Sequence, residues 1–188
     1  TLLSALPGAG VTAIKIEGVQ HEFSTIKGVK EDVTEIVLNM KGLAVKTSVT
    51  DNDFRKVLHL SHKGAGVITA GMIVHDDEVE VLNPDLYICT LEKDASMEMD
   101  ITVGRGRGYV LADKNKVETD PVGTIAMDTN FTPLKKVNFE VQSTRVGQSI
   151  DYDKLVLEVE TNGTMSAKEI VSLSAKLVND HLALFIEL

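Results

Sequence analysis

Glycine and arginine alternate over residues 104–108, Gly-Arg-Gly-Arg-Gly, which is the clearest chemical pattern in the chain. Glycines let a backbone approach a partner closely, and guanidinium groups offer forked hydrogen-bond donors to carboxylates and phosphates. No Gly-Lys-Ser/Thr sequence follows, so the segment is not a P-loop, and its spacing does not match the dinucleotide-binding fingerprint. Two interpretations remain open: a loop that binds an anionic partner, or a glycine-rich strand connection with solvated arginines, which the pattern alone favours.

The other reactive side chains do not form a catalytic or metal-binding pattern. His59 and His62 lie three residues apart, which places them on opposite faces of a strand. Asp151 and Asp153 could share a cation on one strand face, but no third acidic residue lies nearby, which favours a solvated strand entry. Cys89 lies in an apolar run, which predicts a buried and unreactive thiol. The sequence therefore predicts no catalytic residue, no metal site and no cofactor on this chain.

Charge and composition disfavour several classes of protein. The chain has 188 residues, a net charge of −9, 4% aromatic residues and no tryptophan. The negative charge argues against sequence-independent DNA binding, and the scarcity of aromatic side chains argues against stacking of single-stranded nucleic acid. A single cysteine excludes a disulfide framework and indicates a reducing compartment. No apolar run approaches the roughly 20 residues that span a bilayer, so we expect no membrane partner.

Residues 166–188 are predicted to form one amphipathic helix. Ser166 and Glu169 have the spacing of a capping box, and Asn162-Gly163 supplies the preceding turn. The apolar side chains spread over an arc of roughly 220°, which is wider than a surface helix requires. The helix should therefore be buried on two sides, against its own sheet and against a second surface. The alternative is a central helix within one large core.

The rest of the chain reads as a β-rich body flanked by pieces of an α+β unit, which suggests a domain inserted into another. Helical spacing covers residues 32–41, and alternating or apolar runs predict strands at 11–17, 57–60, 78–82, 86–91, 96–103, 137–141 and 154–161. Residues 1–6 look like the tail of a helix that Pro7-Gly8 breaks, with no start signal before it. We therefore expect the natural N-terminus to lie further upstream.

Several stretches resemble the N-terminal domain of the alpha subunit of bacterial RNA polymerase. They occur in the family's order and cover essentially the whole chain: LLSALPG (2–8), IEGVQHEFS (16–24), GVKEDVTEI (28–36), GRGRGYV (104–110), TRVGQ (144–148) and DYDKL (151–155). The resemblance implies an α+β fold in which a mostly β insert domain, residues 8–132, interrupts a dimerisation domain of residues 1–7 and 133–188. It also implies that the first strand, most of the first helix, the linker and the C-terminal domain are absent.

The function that the resemblance implies is assembly. Two copies would dimerise, and one would dock the beta subunit and the other the beta-prime subunit, which hold the active site. The chain would thus belong to a nucleotidyltransferase without carrying catalytic residues. The implied docking residues are Leu3, His21, Glu22, Phe23, Arg105, Arg107, Arg145 and Lys154. The wide apolar arc supplies the predicted dimer interface, which consists of Ile170, Leu173, Leu177, Val178, Leu184, Phe185 and Leu188.

The resemblance also sets the expected surroundings. No direct DNA contact is expected from this chain, and the bacterial cytoplasm is the expected location, with the chloroplast as the alternative. A hypothesis of another class remains: a standalone domain that binds a phosphorylated ligand through residues 104–108. The scaffold hypothesis predicts a dimer that is indifferent to phosphate compounds, whereas the ligand hypothesis predicts a monomer that such compounds stabilise.

Overall fold

The computed structural model describes residues 1–186, which fold as two compact units. We call Pro7–Thr132 the insert unit, and Thr1–Leu6 together with Pro133–Leu188 the terminal unit. Both contain strands and helices, so the α+β prediction is confirmed. Pro7, which the sequence placed with the terminal residues, is the first residue of a strand in the insert unit.

The insert unit is built mostly from short antiparallel strands. Its main sheet has the strand order β3-β7-β1-β9, and the remaining strands pair as β2–β5, β4–β6 and β8–β10. The strands are β1 (Pro7–Ile16), β2 (Val45–Thr47), β3 (Arg55–Lys63), β4 (Gly66–Thr69), β5 (Val79–Val81), β6 (Tyr87–Leu91), β7 (Ser96–Arg107), β8 (Tyr109–Val110), β9 (Ile125–Ala126) and β10 (Thr129–Asn130). The helices are α1 (Val33–Met40), a 3-10 helix (Ala70–Met72) and α2 (Ala112–Asn115).

Helix α1 begins at a capping box. The Glu35 backbone N–H donates to Oδ1 of Asp32 at 2.8 Å, and the Asp32 N–H donates to Oε2 of Glu35 at 3.2 Å. These two bonds satisfy backbone donors that the first turn of a helix leaves free. The helix then buries the face that its spacing predicted, with Val33, Ile36 and Met40 all fully buried in the core of the insert unit.

Strand β7 runs through the centre of the main sheet. Met97, Met99, Ile101 and Val103 are buried, as the alternating pattern predicted. The strand is longer than predicted, because its backbone pairs with β1 as far as Arg107, which lies opposite Pro7. Glycine has a low strand propensity, so the local pattern gave no sign that the strand continues through residues 104–107.

The terminal unit consists of a hairpin and a helix. Strands β11 (Leu134–Val146) and β12 (Ser149–Thr161) are joined by a turn in which Gly147 has a φ of 62°, a conformation that suits glycine. Helix α3 (Ala167–Ile186) follows. A small core holds the hairpin to the helix through Leu6, Leu134 and Ile170.

The predicted capping box of the C-terminal helix is confirmed. The Ser166 N–H donates to Oε2 of Glu169 at 2.9 Å, and the Glu169 N–H donates to the Ser166 hydroxyl at 3.3 Å. The predicted end of the helix lies outside the described residues. At the other end of the chain, residues 2–5 form turns, with one helix-type hydrogen bond from the Ala5 N–H to the Thr1 carbonyl at 3.0 Å.

Candidate functional site

Helix α3 leaves most of its apolar side chains open to solvent. The described helix buries only Ile170 and Ser174. Leu184 is 66% exposed and Phe185 is 72% exposed, and Leu182 is also exposed. An isolated helix of this length gains little stability from its backbone alone, because most helical stability in proteins comes from packing of the apolar face. The second half of α3 therefore presents an apolar surface that its own unit does not cover.

The predicted dimer residues at the C-terminal helix divide into four groups. Ile170 is fully buried against Leu6 and Leu134, so it belongs to the core of its own unit and offers no surface to a partner. Leu177 is half-buried. The predicted residue Leu188 lies outside the described residues. The remaining members of the set are exposed, namely Leu173, Val178, Leu184 and Phe185.

The hairpin has one apolar face, and half of that face is also uncovered. Cross-strand register places Phe139 opposite Leu157 and Val141 opposite Leu155. All four side chains are exposed, and Phe139 is 74% exposed. A two-stranded hairpin is marginally stable in water unless its apolar face packs against something else. The hairpin thus extends the uncovered surface of the terminal unit.

A groove in the terminal unit contains a buried polar atom without a partner. It has a volume of about 480 Å³ and is lined by Thr1, Leu2, Leu157, Val171, Ser174, Ala175, Val178, Asn179 and Leu182. The Ser174 hydroxyl is buried and has no hydrogen-bond partner within residues 1–186. Leaving such a group unsatisfied costs about 1–3 kcal/mol. A second molecule that filled the groove and formed a hydrogen bond with Ser174 would remove this cost.

Residues 104–107 of the Gly-Arg segment lie in strand β7, so the interpretation of these residues as a loop is wrong. Register places Gly106 opposite Gly8, and Gly104 opposite Gly10. A Cβ atom on Gly106 would lie 2.6 Å from the ring of Phe131, so the glycine is required by close packing. The glycines thus serve the packing of the insert unit and do not form a flexible cradle for a ligand.

The two arginines of this segment have different environments. Arg105 is half-buried, and its Nη1 donates to the backbone carbonyl of Val49 at 2.7 Å. Arg107 is exposed at the end of β7. The guanidinium of Arg107 is consequently the more accessible of the two to a partner.

The segment His21-Glu22-Phe23 forms an exposed projection before helix α1. Phe23 is 79% exposed, and its ring centroid lies 6.5 Å from that of His21. The hydroxyl of Thr34 donates to the Glu22 carbonyl at 2.9 Å, which ties the projection to α1. An exposed phenyl ring on a braced loop is the kind of side chain that anchors protein interfaces.

The other predicted docking residues belong to the terminal unit, where all three are exposed. Leu3 lies in the turns at the start of the chain. Arg145 and Lys154 lie on the hairpin, and the Nε of Arg145 donates to the Gly147 carbonyl at 2.7 Å, which braces the turn. The structure therefore distributes the predicted docking residues over both units.

One polar cluster was not predicted. The ring of His59 on β3 lies between two carboxylates of β7, with Nδ1 2.8 Å from Asp100 and Nε2 2.8 Å from Glu98. The hydrogen bond to Asp100 raises the pKa of His59, and that to Glu98 adds to the effect. The hydroxyl of Ser61 donates to Glu98 and lowers the pKa of that carboxyl. The alternation of Glu98 and Asp100 was visible in the sequence, but the register that brings His59 between them was not.

Residues 1–186 contain neither a metal-binding cluster nor a membrane-spanning helix. No group of three or more His, Cys, Asp or Glu side chains in this range could hold a metal ion. No helix in this part of the chain is long and apolar enough to cross a membrane.

Cys89 agrees with its prediction, because it is fully buried and burial raises the pKa of its thiol to about 12.

Comparisons with known proteins all point to one family. A family model described as "RNA polymerase Rpb3/RpoA insert domain" matches residues 14–132. A protein of Alkaliphilus oremlandii (strain OhILAs) named "DNA-directed RNA polymerase subunit alpha" is 52% identical over 187 residues, and one of the same name from Desulfitobacterium hafniense (strain DSM 10664 / DCB-2) is 54% identical. Each match covers 100% of the chain and 58% of the relative's length.

Proposed function

The chain belongs to the family of bacterial RNA polymerase alpha subunits, and on that premise we propose that it is the dimerising scaffold on which the polymerase assembles. In this proposal two copies associate through α3, and the dimer docks the beta subunit through one copy and the beta-prime subunit through the other. The chain then takes part in nucleotidyl transfer as a subunit, in the bacterial cytoplasm, and contributes no catalytic residue, cofactor or direct DNA contact of its own.

The observation that supports dimerisation most directly is the uncovered apolar surface of the terminal unit. It combines the exposed half of α3, with Leu184 and Phe185, and the exposed half of the hairpin, with Phe139 and Leu155. Monomeric proteins seldom expose contiguous apolar patches larger than a few hundred Å². Obligate dimer interfaces, in contrast, are large and apolar. A second copy of the chain would bury the same side chains by symmetry.

The docking proposal is supported by exposed groups of two chemical kinds. Phe23 offers an apolar anchor, and Arg107 offers a forked donor for a carboxylate of a partner. Leu3, Arg145 and Lys154 supply an apolar contact and two cations on the terminal unit. In a chain with a net charge of −9, local cations are suited to acidic side chains of a protein partner.

No observation favours the hypothesis of a phosphorylated ligand. The backbone of residues 104–107 is paired with β1, and Gly104 also pairs with Arg55 of β3. The guanidinium of Arg105 donates to Val49, so it is not free to converge with Arg107 on a phosphate. Residues 104–107 are extended and paired as a strand, whereas backbone anion sites are formed by turn conformations.

Co-expression with the beta and beta-prime subunits tests the proposed function. We expect this chain to purify as a dimer and to retain both large subunits on an affinity column through a tag on the chain. A full-length alpha subunit from one of the relatives serves as the positive control. The proposal would be contradicted if the chain were monomeric at micromolar concentration and retained neither subunit, while the full-length control retained both.

Loss of the Arg107 side chain should weaken capture of the beta subunit without destabilising the chain. Arg107→Ala removes an exposed guanidinium, so the free energy of unfolding should stay within about 0.5 kcal/mol of the parent. If the group forms a desolvated ion pair with the beta subunit, affinity should fall by about 10-fold or more. Titration of the immobilised beta subunit with each chain measures the change.

Two further variants make this result specific. Lys63→Ala removes an exposed cation at the opposite end of the same sheet and should leave affinity unchanged. Arg105→Ala should lower stability as well, because it also leaves the Val49 carbonyl without its donor. Equal affinity of the Arg107→Ala and Lys63→Ala chains for the beta subunit would remove Arg107 from the docking surface.

A further inference from the structure

The outer face of the main sheet carries a cleft that the assembly function does not use. It has a volume of about 530 Å³, and residues of β1, β3 and β7 line it. Val122 and Gly123, which lie between α2 and β9, also belong to its lining. Its ionisable lining consists of Lys15, Glu17, His59, Glu98 and Asp100.

The geometry around His59 favours a charged imidazole. Each ring nitrogen lies 2.8 Å from a carboxylate oxygen, Nδ1 from Asp100 and Nε2 from Glu98. A carboxylate can only accept a hydrogen bond, and a neutral imidazole has one N–H to donate, so only the doubly protonated ring can donate to both. The second oxygen of Glu98 accepts from Ser61, which extends the chain of bonds between β3 and β7.

We propose that His59 is a proton-operated latch that fastens the edge strand β3 to β7 and sets the charge of the cleft. With the proton bound, three carboxylates face two cations, Lys15 and His59, which leaves one net negative charge on the lining. When the proton leaves, one carboxylate loses its donor, and the lining gains a second net negative charge. The latch involves neither α3 nor the hairpin of the terminal unit, so its failure would leave the proposed dimerisation untouched.

The carboxylates that face His59 favour its protonated form, whereas the cation Lys15 opposes it. Asp100 and Glu98 on β7 are its direct partners, and both lie on the same sheet face as Lys15, which β1 places opposite Asp100. Glu17 follows at the end of the cleft. On the other side, the segment after the 3-10 helix contacts β3 through the Val74 N–H, which donates to the His59 carbonyl at 2.8 Å.

The ionisable groups of that neighbouring segment pair elsewhere. The ring of His75 lies 4.0 Å from Asp77, and both side chains are almost fully exposed. Asp76 pairs with Lys56 at 3.2 Å. The two carboxylates of β7 therefore remain the groups that set the protonation of His59.

The sign of the pH dependence follows from the direction of the shift. The pKa of His59 is raised in the folded chain, chiefly by the hydrogen bond to Asp100. The stabilisation is therefore fully present below the unfolded value of 6.5 and is lost as the pH rises through the folded pKa. The pKa of Glu98 is lowered, so that carboxylate stays ionised throughout this range.

Unfolding of the His59→Gln chain at two pH values tests the latch. The free energy of unfolding of the insert unit is measured by urea titration, followed through the NMR signals of its core methyl groups. We expect the variant to be less stable than the parent at about pH 5.5 and equal to it at about pH 9. A difference that is the same at both pH values would show a purely packing role and overturn the proposal.

A second measurement reports on the proton itself. NMR titration of the His59 ring should show a lower pKa in the Asp100→Asn chain and in the Glu98→Gln chain than in the parent. An unchanged His59 titration in both variants would overturn the latch.

Discussion

Gly8→Ala is expected to destabilise the insert unit by about 3 kcal/mol, because the new methyl group has no space. A Cβ atom at this position would lie 1.8 Å from the carbonyl oxygen of Phe131. The obstacle is backbone, so no rotamer change can relieve it, and β1 must shift away from the backbone of Phe131. Urea unfolding of the insert unit, followed by NMR as above, measures the loss.

Two matched variants identify the cause of that loss. Gly42→Ala adds the same methyl group where the nearest atom would lie 3.3 Å away, so it should cost far less. Gly106→Ala meets the ring of Phe131 at 2.6 Å, and its cost should shrink when Phe131 is also changed to Leu. The Phe131→Leu change should not rescue Gly8→Ala, because the Phe131 carbonyl remains. A Gly8→Ala chain as stable as the Gly42→Ala chain would refute the steric account.

The sequence predicted those elements whose pattern is local. Alternation along residues 96–103 and helical spacing along residues 32–41 correspond to β7 and α1, since each pattern reflects which side chains face one core. The continuation of β7 through Arg105 and Arg107 was missed, because its cause lies far away in the chain. It depends on pairing with Pro7–Gly10 and on the ring of Phe131, and neither leaves a mark in residues 104–108.

The candidate surfaces were predictable to a similar extent. The width of the apolar arc on α3 indicated a second buried side, and the exposure of Leu184 and Phe185 shows that the terminal unit itself does not provide it. The arc could not show that Ile170 belongs to the core of its own unit, because that depends on where the hairpin lies. The pairing of His59 with Asp100 was equally hidden, since strand register is a property of two strands and not of one.

The proposed dimer should dissociate when charge is placed on the exposed half of α3. Leu184→Asp combined with Phe185→Asp puts two carboxylates where the proposed interface excludes water, and desolvating an unpaired carboxylate is costly. Anchor residues in interfaces contribute about 2 kcal/mol or more each when truncated, so two of them should raise the dissociation constant by about 1,000-fold. Sedimentation equilibrium over a range of concentrations measures the change.

Because Leu184 and Phe185 are exposed in the single chain, their loss should not affect folding. The insert unit should unfold at the same urea concentration as in the parent chain. The matched control is Ser172→Asp with Lys176→Gln, which makes the same net charge change of about −2 on the opposite, polar side of α3 by adding one carboxylate and removing one ammonium group. This control should remain a dimer, because its charges stay in water. If both double variants dimerise as tightly as the parent, α3 is not the interface, and the exposed face of the hairpin around Phe139 becomes the surface to substitute next.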